Sequence, residues 1–126
     1  MITLVNVGSG PNAGDGDTLR AAMQKVNTSL TSLRVRDFVS KAVDYAVGAD
    51  DEVILVTATG KTMTLPTAVG VTGKTYTIKL SASGSSTIAT TSAQTIDGAS
   101  TYSLSAQYKF VTVLSNGANW IIIGAN

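Results

Sequence analysis

The side chains able to do acid–base chemistry are few in this chain, and only Asp50, Asp51 and Glu52 stand together. A pair of carboxylates can hydrolyse a glycosidic bond, one as the acid and the other as base or nucleophile. Neighbouring residues at the start of a strand point in alternating directions, so these three need not face one cleft. The chain has no histidine and no cysteine, and only one acidic residue, Asp97, follows the cluster. We therefore predict a solvated turn before a strand, no catalytic residues and no enzymatic activity.

Two segments near the start have the composition of ligand-binding loops. Gly8–Ala13 imitates the glycine-rich turn of a dinucleotide site, but no parallel strand–helix–strand pattern follows it. Asp15 and Asp17, with Asn12, offer oxygen ligands for a cation, but the further carboxylates of a calcium-binding loop are missing. Asp17 also suits a helix N-cap, where its side chain accepts a backbone hydrogen bond. We expect a turn before a helix, with no bound metal and no cofactor.

Four aromatic side chains of the C-terminal half have the chemistry of a sugar-binding platform: Tyr76, Tyr102, Tyr108 and Trp120. Aromatic side chains combine a large apolar face with, in Tyr and Trp, a polar handle. The same side chains supply much of the packing in cores and interfaces. We favour packing, and contact with a host-surface glycan is the alternative.

The one clear helix begins after Asp17 or Thr18, either of which can serve as its N-cap. Its large apolar residues recur in steps of four, three, four and three, and they are Leu19, Met23, Val26, Leu30 and Leu33. This spacing is typical of the seam of a coiled coil. A seam of two heptads is only about 22 Å long and is marginal in water, so another contact must help to hold its copies together. An amphipathic helix packed on its own domain is the alternative.

From residue 51 the pattern becomes strand-like, with short runs rich in Val, Ile and Thr between turn residues. Asn116-Gly117 predicts a β-hairpin with a type I′ turn, in which both residues take positive φ. We predict a mainly β protein with a short strand over 1–7 and a coiled-coil-like helix. A small antiparallel β-domain follows, sandwich-like or prism-like. Residues 1–33 form the loop and helix, 34–50 a connector and 51–126 the β-domain.

Charge and hydropathy argue against two classes of partner. The formal net charge of +1 gives no electrostatic basis for binding nucleic acid or an anionic membrane. The apolar run Trp120–Ile123 is far shorter than the roughly 20 residues of a membrane-spanning helix, so we expect no membrane insertion. Seven of the eight acidic residues lie at or before Glu52. Because charged residues are depleted from interface cores, the acid-poor remainder suits burial against copies of itself.

Two segments resemble proteins of tailed bacteriophages. Residues 5–27, a Gly/Asp turn followed by Leu19-Arg20 and Lys25-Val26-Asn27, are similar to a segment near the start of phage fibre and baseplate-associated proteins. Residues 51–124 resemble a β-rich module of phage head fibres and tail fibres. The matching stretches of that module are Thr62–Pro66, Gly73–Lys79, Thr95–Gly98 and Ser115–Trp120.

The resemblance implies a homotrimeric structural protein located in the virion, a short fibre or decoration protein. Residues 1–33 would anchor it to the particle, and 51–126 would form a knob. The residues implied to dock onto another virion protein, of the capsid or of the tail or baseplate, are Leu19, Arg20, Lys25, Val26 and Asn27. The shortness of the chain favours the capsid surface. A tail- or baseplate-attached fibre and a carbohydrate-binding, receptor-recognition module are the alternatives.

Overall fold

The computed structural model describes residues 2–9, 14 and 16–126, and the chain divides into two compact units, Met1–Asp37 and Phe38–Asn126. In the described part of the first unit, one helix, α1, spans Leu19–Arg34. Thr18 is its N-cap, with an extended backbone and a side-chain oxygen that accepts a 3.3 Å hydrogen bond from the Ala21 N–H. This bond satisfies one of the donors left free in the first turn of a helix. The predicted helix and its N-cap are confirmed.

The predicted strand over residues 1–7 is wrong for its described part, residues 2–7, which belong to neither sheet. These residues bond instead to polar groups in and beside α1. The Thr3 N–H donates to Ser29 Oγ at 3.0 Å, and the Ser29 hydroxyl donates to the Thr3 carbonyl at 2.7 Å. Backbone groups need partners, and here a side chain of the helix provides them in place of a second strand.

The second unit contains nine strands in two sheets. They are β1 (Phe38–Lys41), β2 (Tyr45–Ala46), β3 (Val53–Val56), β4 (Thr62–Thr64), β5 (Thr75–Leu80), β6 (Ser86–Ala89), β7 (Thr101–Leu104), β8 (Phe110–Ser115) and β9 (Trp120–Ala125). The large sheet has the strand order β1-β3-β5-β8-β9, and the small sheet has the order β2-β4-β6-β7. The mainly β character predicted from the sequence is confirmed.

Up to β6 the chain winds as a short, solenoid-like coil, in which each turn places one strand in the large sheet and the next strand in the small sheet. Odd-numbered strands enter the large sheet and even-numbered strands the small sheet, and each pairs in parallel with the strand one turn earlier. A chain that crosses to the other sheet and back re-enters each sheet in the same direction, which is why these pairings are parallel. After β6 the chain reverses, so that β7 runs antiparallel to β6, β8 to β5 and β9 to β8.

The prediction of an antiparallel β-domain is therefore only partly right. Three of the seven strand pairings are antiparallel, and four are parallel. The apolar pattern of a short strand shows which face is buried, but it does not specify which strand lies beside it or in which direction.

Two strands lie in the stretch predicted as a connector, residues 34–50. β1 pairs residue by residue from Phe38↔Val53 to Lys41↔Val56, and β2 pairs with β4. The β-unit accordingly begins at Phe38 and not at residue 51. β1 and β2 are only four and two residues long, too short for a periodicity of their own, and they form because the next turn of the coil supplies partners.

The core lies between the two sheets. On β5, Tyr76, Ile78 and Leu80 are buried, whereas Lys79 points outward and is exposed. Removal of apolar surface from water stabilises such a core by about 25 cal/mol per Å². The fully buried apolar side chains are those of Ile54, Val56, Met63, Leu65, Ala68, Ile78, Leu80, Ile88, Val111, Val113 and Trp120.

The predicted hairpin at Asn116-Gly117 is confirmed, but the predicted turn type is wrong. Only Gly117 has a positive φ, of 94°. The loop covers four residues, 116–119, because β8 ends at Ser115 and β9 begins at Trp120. Within it the Asn116 N–H donates to the Asn119 carbonyl at 3.0 Å. Asn116 Oδ1 also accepts the N–H groups of Ala118 and Asn119 at 3.0 and 2.8 Å. Asn side chains commonly stabilise turns by bonding to backbone a few residues on, and here this favours the longer loop.

Candidate interaction surfaces

The apolar seam of α1 is exposed along its whole length. Its residues, between 38% and 80% exposed, are Leu19, Met23, Val26, Leu30 and Leu33. A helix in a globular domain that is stable as a single chain normally buries its apolar stripe, since burial of such side chains is the main source of helix stability in proteins. The surface has the heptad spacing of an association seam and stays open to solvent in the single chain.

The N-terminal segment binds to polar residues of the helical unit and leaves the seam uncovered. The Asn6 N–H donates to Asp17 Oδ2 at 2.8 Å, and the Asp17 N–H donates back to the Asn6 carbonyl at 2.8 Å. The mutual bonds of Thr3 and Ser29 hold the segment further along the helix. Ser29 is only partly exposed, unlike its neighbours Thr28 and Leu30.

Asp17 and Lys25 form an ion pair of 2.7 Å. The hydrogen bond from Lys25 and the backbone bond with Asn6 hold the pKa of the Asp17 carboxyl below its usual value, and the positive charge of Lys25 adds to this. The candidate cation ligands Asn12 and Asp15 lie outside the described residues. Within the described ranges, no group of three or more His, Cys, Asp or Glu side chains could hold a metal ion.

The predicted docking residues fall on two heptad positions of α1, with Lys25 beside them. Leu19 and Val26 are seven residues apart, as are Arg20 and Asn27, so each pair shares one helix face. Arg20 and Asn27 are exposed, whereas Lys25 is partly exposed and bonded to Asp17. Leu19 and Val26 also belong to the seam, so a partner that docks on an assembled helix would meet mainly Arg20 and Asn27.

The acidic cluster does not converge on a cleft. Asp51 is buried, and its Oδ2 accepts the Tyr45 hydroxyl at 2.6 Å and the Gly48 N–H at 2.7 Å. Asp50 is exposed. The predicted solvated turn is therefore wrong for Asp51, whose carboxylate closes the 48–51 turn from inside because Tyr45 of β2 reaches it. The sequence carried no signal for this, since β2 itself was not predicted.

The alternative prediction, that four aromatic side chains form a glycan-binding platform, is wrong for two of them. Tyr76 and Trp120 are buried in the core, where their rings pack edge to face with centroids 5.4 Å apart. The Trp120 indole N–H donates to the Pro66 carbonyl at 3.2 Å. Tyr102 is partly buried against the core, and Tyr108 is 57% exposed. The four rings share no common surface; packing explains three of them.

The sequence patterns did not identify the outer face of the large sheet, the side turned away from the core. Its large apolar residues are Phe38, Val53, Leu55, Phe110, Leu114, Ile121 and Ile123. None of them belongs to the core cluster or packs against it. The signal that could have found them is the continuous apolar run, Val53–Val56 and Trp120–Ile123, because such a run places apolar side chains on both faces of a strand.

Comparison of the chain with protein-family models and with curated proteins finds no match. Among the described residues, no helix has the length and apolar character required to cross a membrane.

Proposed function

We propose that this protein is a structural part of a bacteriophage particle, a short homotrimeric fibre or decoration protein, non-enzymatic, attached to the virion surface. The capsid surface is its preferred location, and the tail or baseplate is the alternative. Residues of the helical unit align the chains and attach them, and the β-unit projects as a knob.

The observation that carries the proposal is the exposed seam of α1. Five large apolar side chains at heptad spacing, all exposed, are unfavourable for a solitary chain and are what parallel association of identical helices requires. The fibre and baseplate resemblance of residues 5–27 covers the same helix. Association and attachment are therefore proposed for one element.

The β-unit is consistent with a mechanical role. The described residues include no buried side-chain nitrogen or oxygen without a hydrogen-bond partner. Unpaired buried polar groups are rare in native structures, and one explanation for such a group is a catalytic role. The carboxylate that the sequence offered for catalysis, Asp51, is bonded to Tyr45 and Gly48.

Sedimentation equilibrium of the purified chain tests the proposal. A trimer has a mass of about 39 kDa, three times the 12.9 kDa of one chain. A chain that stays a monomer at micromolar concentration contradicts the trimer. Electron microscopy of particles labelled at this protein then distinguishes the locations, because label confined to the tail tip would exclude the capsid surface.

A receptor-recognition role is the second candidate, and the exposed Tyr108 is the observation that favours it. Lys79 Nζ lies 5.9 Å from the centre of the Tyr108 ring, which places a cation beside an aromatic face. If glycan binding occurs there, Tyr108→Ala abolishes it and leaves the oligomer mass unchanged. A glycan array without signal would exclude this role.

A further inference from the structure

The outer face of the large sheet carries large apolar side chains on four of its five strands, and the central strand, β5, contributes Thr75, Thr77 and Lys79. Along β3, Ile54 and Val56 are buried, whereas Val53 and Leu55 are partly exposed on the other side. The same alternation continues on the neighbouring strands. In the pairing register, the face consists of the rows Phe38–Val53–Thr77–Thr112, Ser40–Leu55–Lys79–Phe110 and Thr75–Leu114–Ile121. Lys79 is the one charged residue in these rows.

The polar groups at the centre of the face satisfy each other. The hydroxyls of Thr77 on β5 and Thr112 on β8 form a hydrogen bond of 2.9 Å. A hydroxyl that already has a partner is less costly to remove from water than an unpaired one. The middle of this face can therefore be covered by an apolar surface without leaving those two hydroxyls unpaired.

The outer face of the small sheet is different. Its outward residues are small, and they are Ala46, Thr62, Thr64, Thr87, Ala89, Thr101 and Ser103. Antiparallel and mixed sheets often solvate one face, and Thr and Ser serve that purpose. Both sheets bury their inner faces in the same core, so the contrast between their outer faces is not required by the fold of one chain.

We propose that copies of this chain pack together through the outer face of the large sheet, a proposal that rests on the proposed trimer. With one charge, the face offers little attraction to an anionic membrane, a nucleic acid or an acidic peptide. Its exposed ends, Phe38 at 58% and Ile123 at 55%, are apolar. A face with large apolar side chains and a single charge suits a face of the same kind, which a second copy provides.

The size of the face agrees with a shared interface. Five strands about 4.8 Å apart and four to six residues long cover roughly 400 Å² of flat area. A stable interface buries about 800 Å² on each partner, so the sheet face needs a further contact. The exposed seam of α1 is such a contact.

The chain itself links the two surfaces. Leu33, the last seam residue, is five residues before Phe38, the first residue of the sheet face. Five residues of extended chain span at most about 18 Å. Copies joined by their seams therefore hold their sheet faces at high effective concentration, which favours a second copy over any separate partner.

A pair of lysine substitutions tests the proposal on the full chain. Val53→Lys places a charge on β3, between Phe38 and Thr77. Thr87→Lys is the matched control, since it lies at the centre of the small sheet between Thr62 and Ser103. We expect Val53→Lys to weaken association by at least about a hundredfold, because each copy would then bury a second cation on a face that already carries Lys79, and Thr87→Lys to leave it unchanged.

Fluorescence of the single tryptophan separates lost assembly from lost folding. Trp120 is fully buried, so a retained emission maximum shows that the β-unit of Val53→Lys is intact. As a second measurement, cysteine is introduced at Leu55 or Thr87, since the chain has none of its own. Maleimide labelling of Leu55→Cys is slow in the assembled protein, and labelling of Thr87→Cys is fast.

The outcomes distinguish this proposal from the proposed function. If the wild-type chain is a monomer, both proposals fail. If it is a trimer that Leu30→Asp dissociates, while Val53→Lys keeps the full mass and Leu55→Cys labels as fast as Thr87→Cys, the seam assembles the trimer and the sheet face is not an interface. Binding of wild-type trimer, but not Val53→Lys, to neutral lipid vesicles together with fast Leu55→Cys labelling would assign the face to lipid and overturn the proposal.

Discussion

The hydroxyl of Tyr45 donates a 2.6 Å hydrogen bond to Asp51 Oδ2, which joins the short strand β2 to the turn that precedes β3. The same oxygen accepts the Gly48 N–H at 2.7 Å, and the Tyr76 hydroxyl donates to the Gly48 carbonyl at 3.1 Å. A buried carboxylate thus connects the first turn of the coil with the core.

Asp51→Ala should lower the free energy of unfolding by about 1–3 kcal/mol, because it leaves the Tyr45 hydroxyl and the Gly48 N–H short of an acceptor. Asp50→Ala is the control, since the neighbouring Asp50 is exposed, and it should change stability by less than about 0.5 kcal/mol. Urea unfolding followed by Trp120 fluorescence measures both. Equal effects of the two substitutions would show that the Asp51 bonds do not stabilise the fold.

Stability should fall as the pH rises from about 10 to about 12. Burial raises the pKa of Tyr76 to about 12, and the charges of Asp51 and Asp50 add to the effect, whereas tyrosine in an unfolded chain ionises near about 10. Within that window the unfolded chain has lost a proton that the folded chain retains, so rising pH favours unfolding. The stability that protonated Tyr76 contributes is fully present below the pKa of tyrosine in the unfolded chain.

Thermal unfolding of wild type and Tyr76→Phe across this pH range measures the effect. The phenylalanine keeps a ring beside Trp120 but cannot ionise. Its melting temperature should fall less steeply than that of the wild type; a residual fall is expected because the hydrogen bond to Asp51 raises the pKa of Tyr45 as well. Identical slopes would mean that Tyr76 does not cause the loss.

Leu30→Asp should weaken trimer formation by at least about a hundredfold, because each copy then places a charge in the seam. Thr28→Asp is the matched control, since Thr28 is exposed and lies outside the seam on the same helix. Light scattering at micromolar concentration gives the mass of each. If Leu30→Asp retains the mass of wild type, the seam does not hold the chains together.

Asp17→Asn should loosen the N-terminal segment. The substitution removes the ion pair with Lys25 and weakens the bond to the Asn6 N–H. Hydrogen exchange of the Asn6 amide should become faster, while that of the Ile78 amide in the β-unit should not change. Acid acts in the same direction, because protonation of Asp17 removes the ion pair with Lys25. Since the pKa of folded Asp17 lies below that of an ordinary aspartate, these bonds are fully present above the ordinary aspartate pKa and are lost as the pH falls through the lower folded-state pKa. An Asn6 amide that exchanges at the wild-type rate would contradict the prediction.

Local patterns predicted the helix and most of the strands. The polar N-cap and the apolar steps identified α1, and the strand-like pattern after residue 51 corresponds to strands such as β5, Thr75–Leu80. The candidate seam could also be predicted from the sequence, since helical spacing alone places the apolar residues from Leu19 to Leu33 on one face. β1 and β2 escaped prediction because their residues, unlike those of the short strand β3, form no run of largely β-branched apolar side chains.

The sequence by itself determined which residues alternate between inside and outside, because that depends only on the period of a helix or a strand. Only the tertiary structure decided that the first six strands pair in parallel, that Asp51, Tyr76 and Trp120 are internal, and that the large sheet carries large apolar side chains on its outer face. These properties depend on which strands lie side by side, and strand pairing joins residues far apart in the chain, such as Thr77 and Thr112, whose proximity no local pattern records.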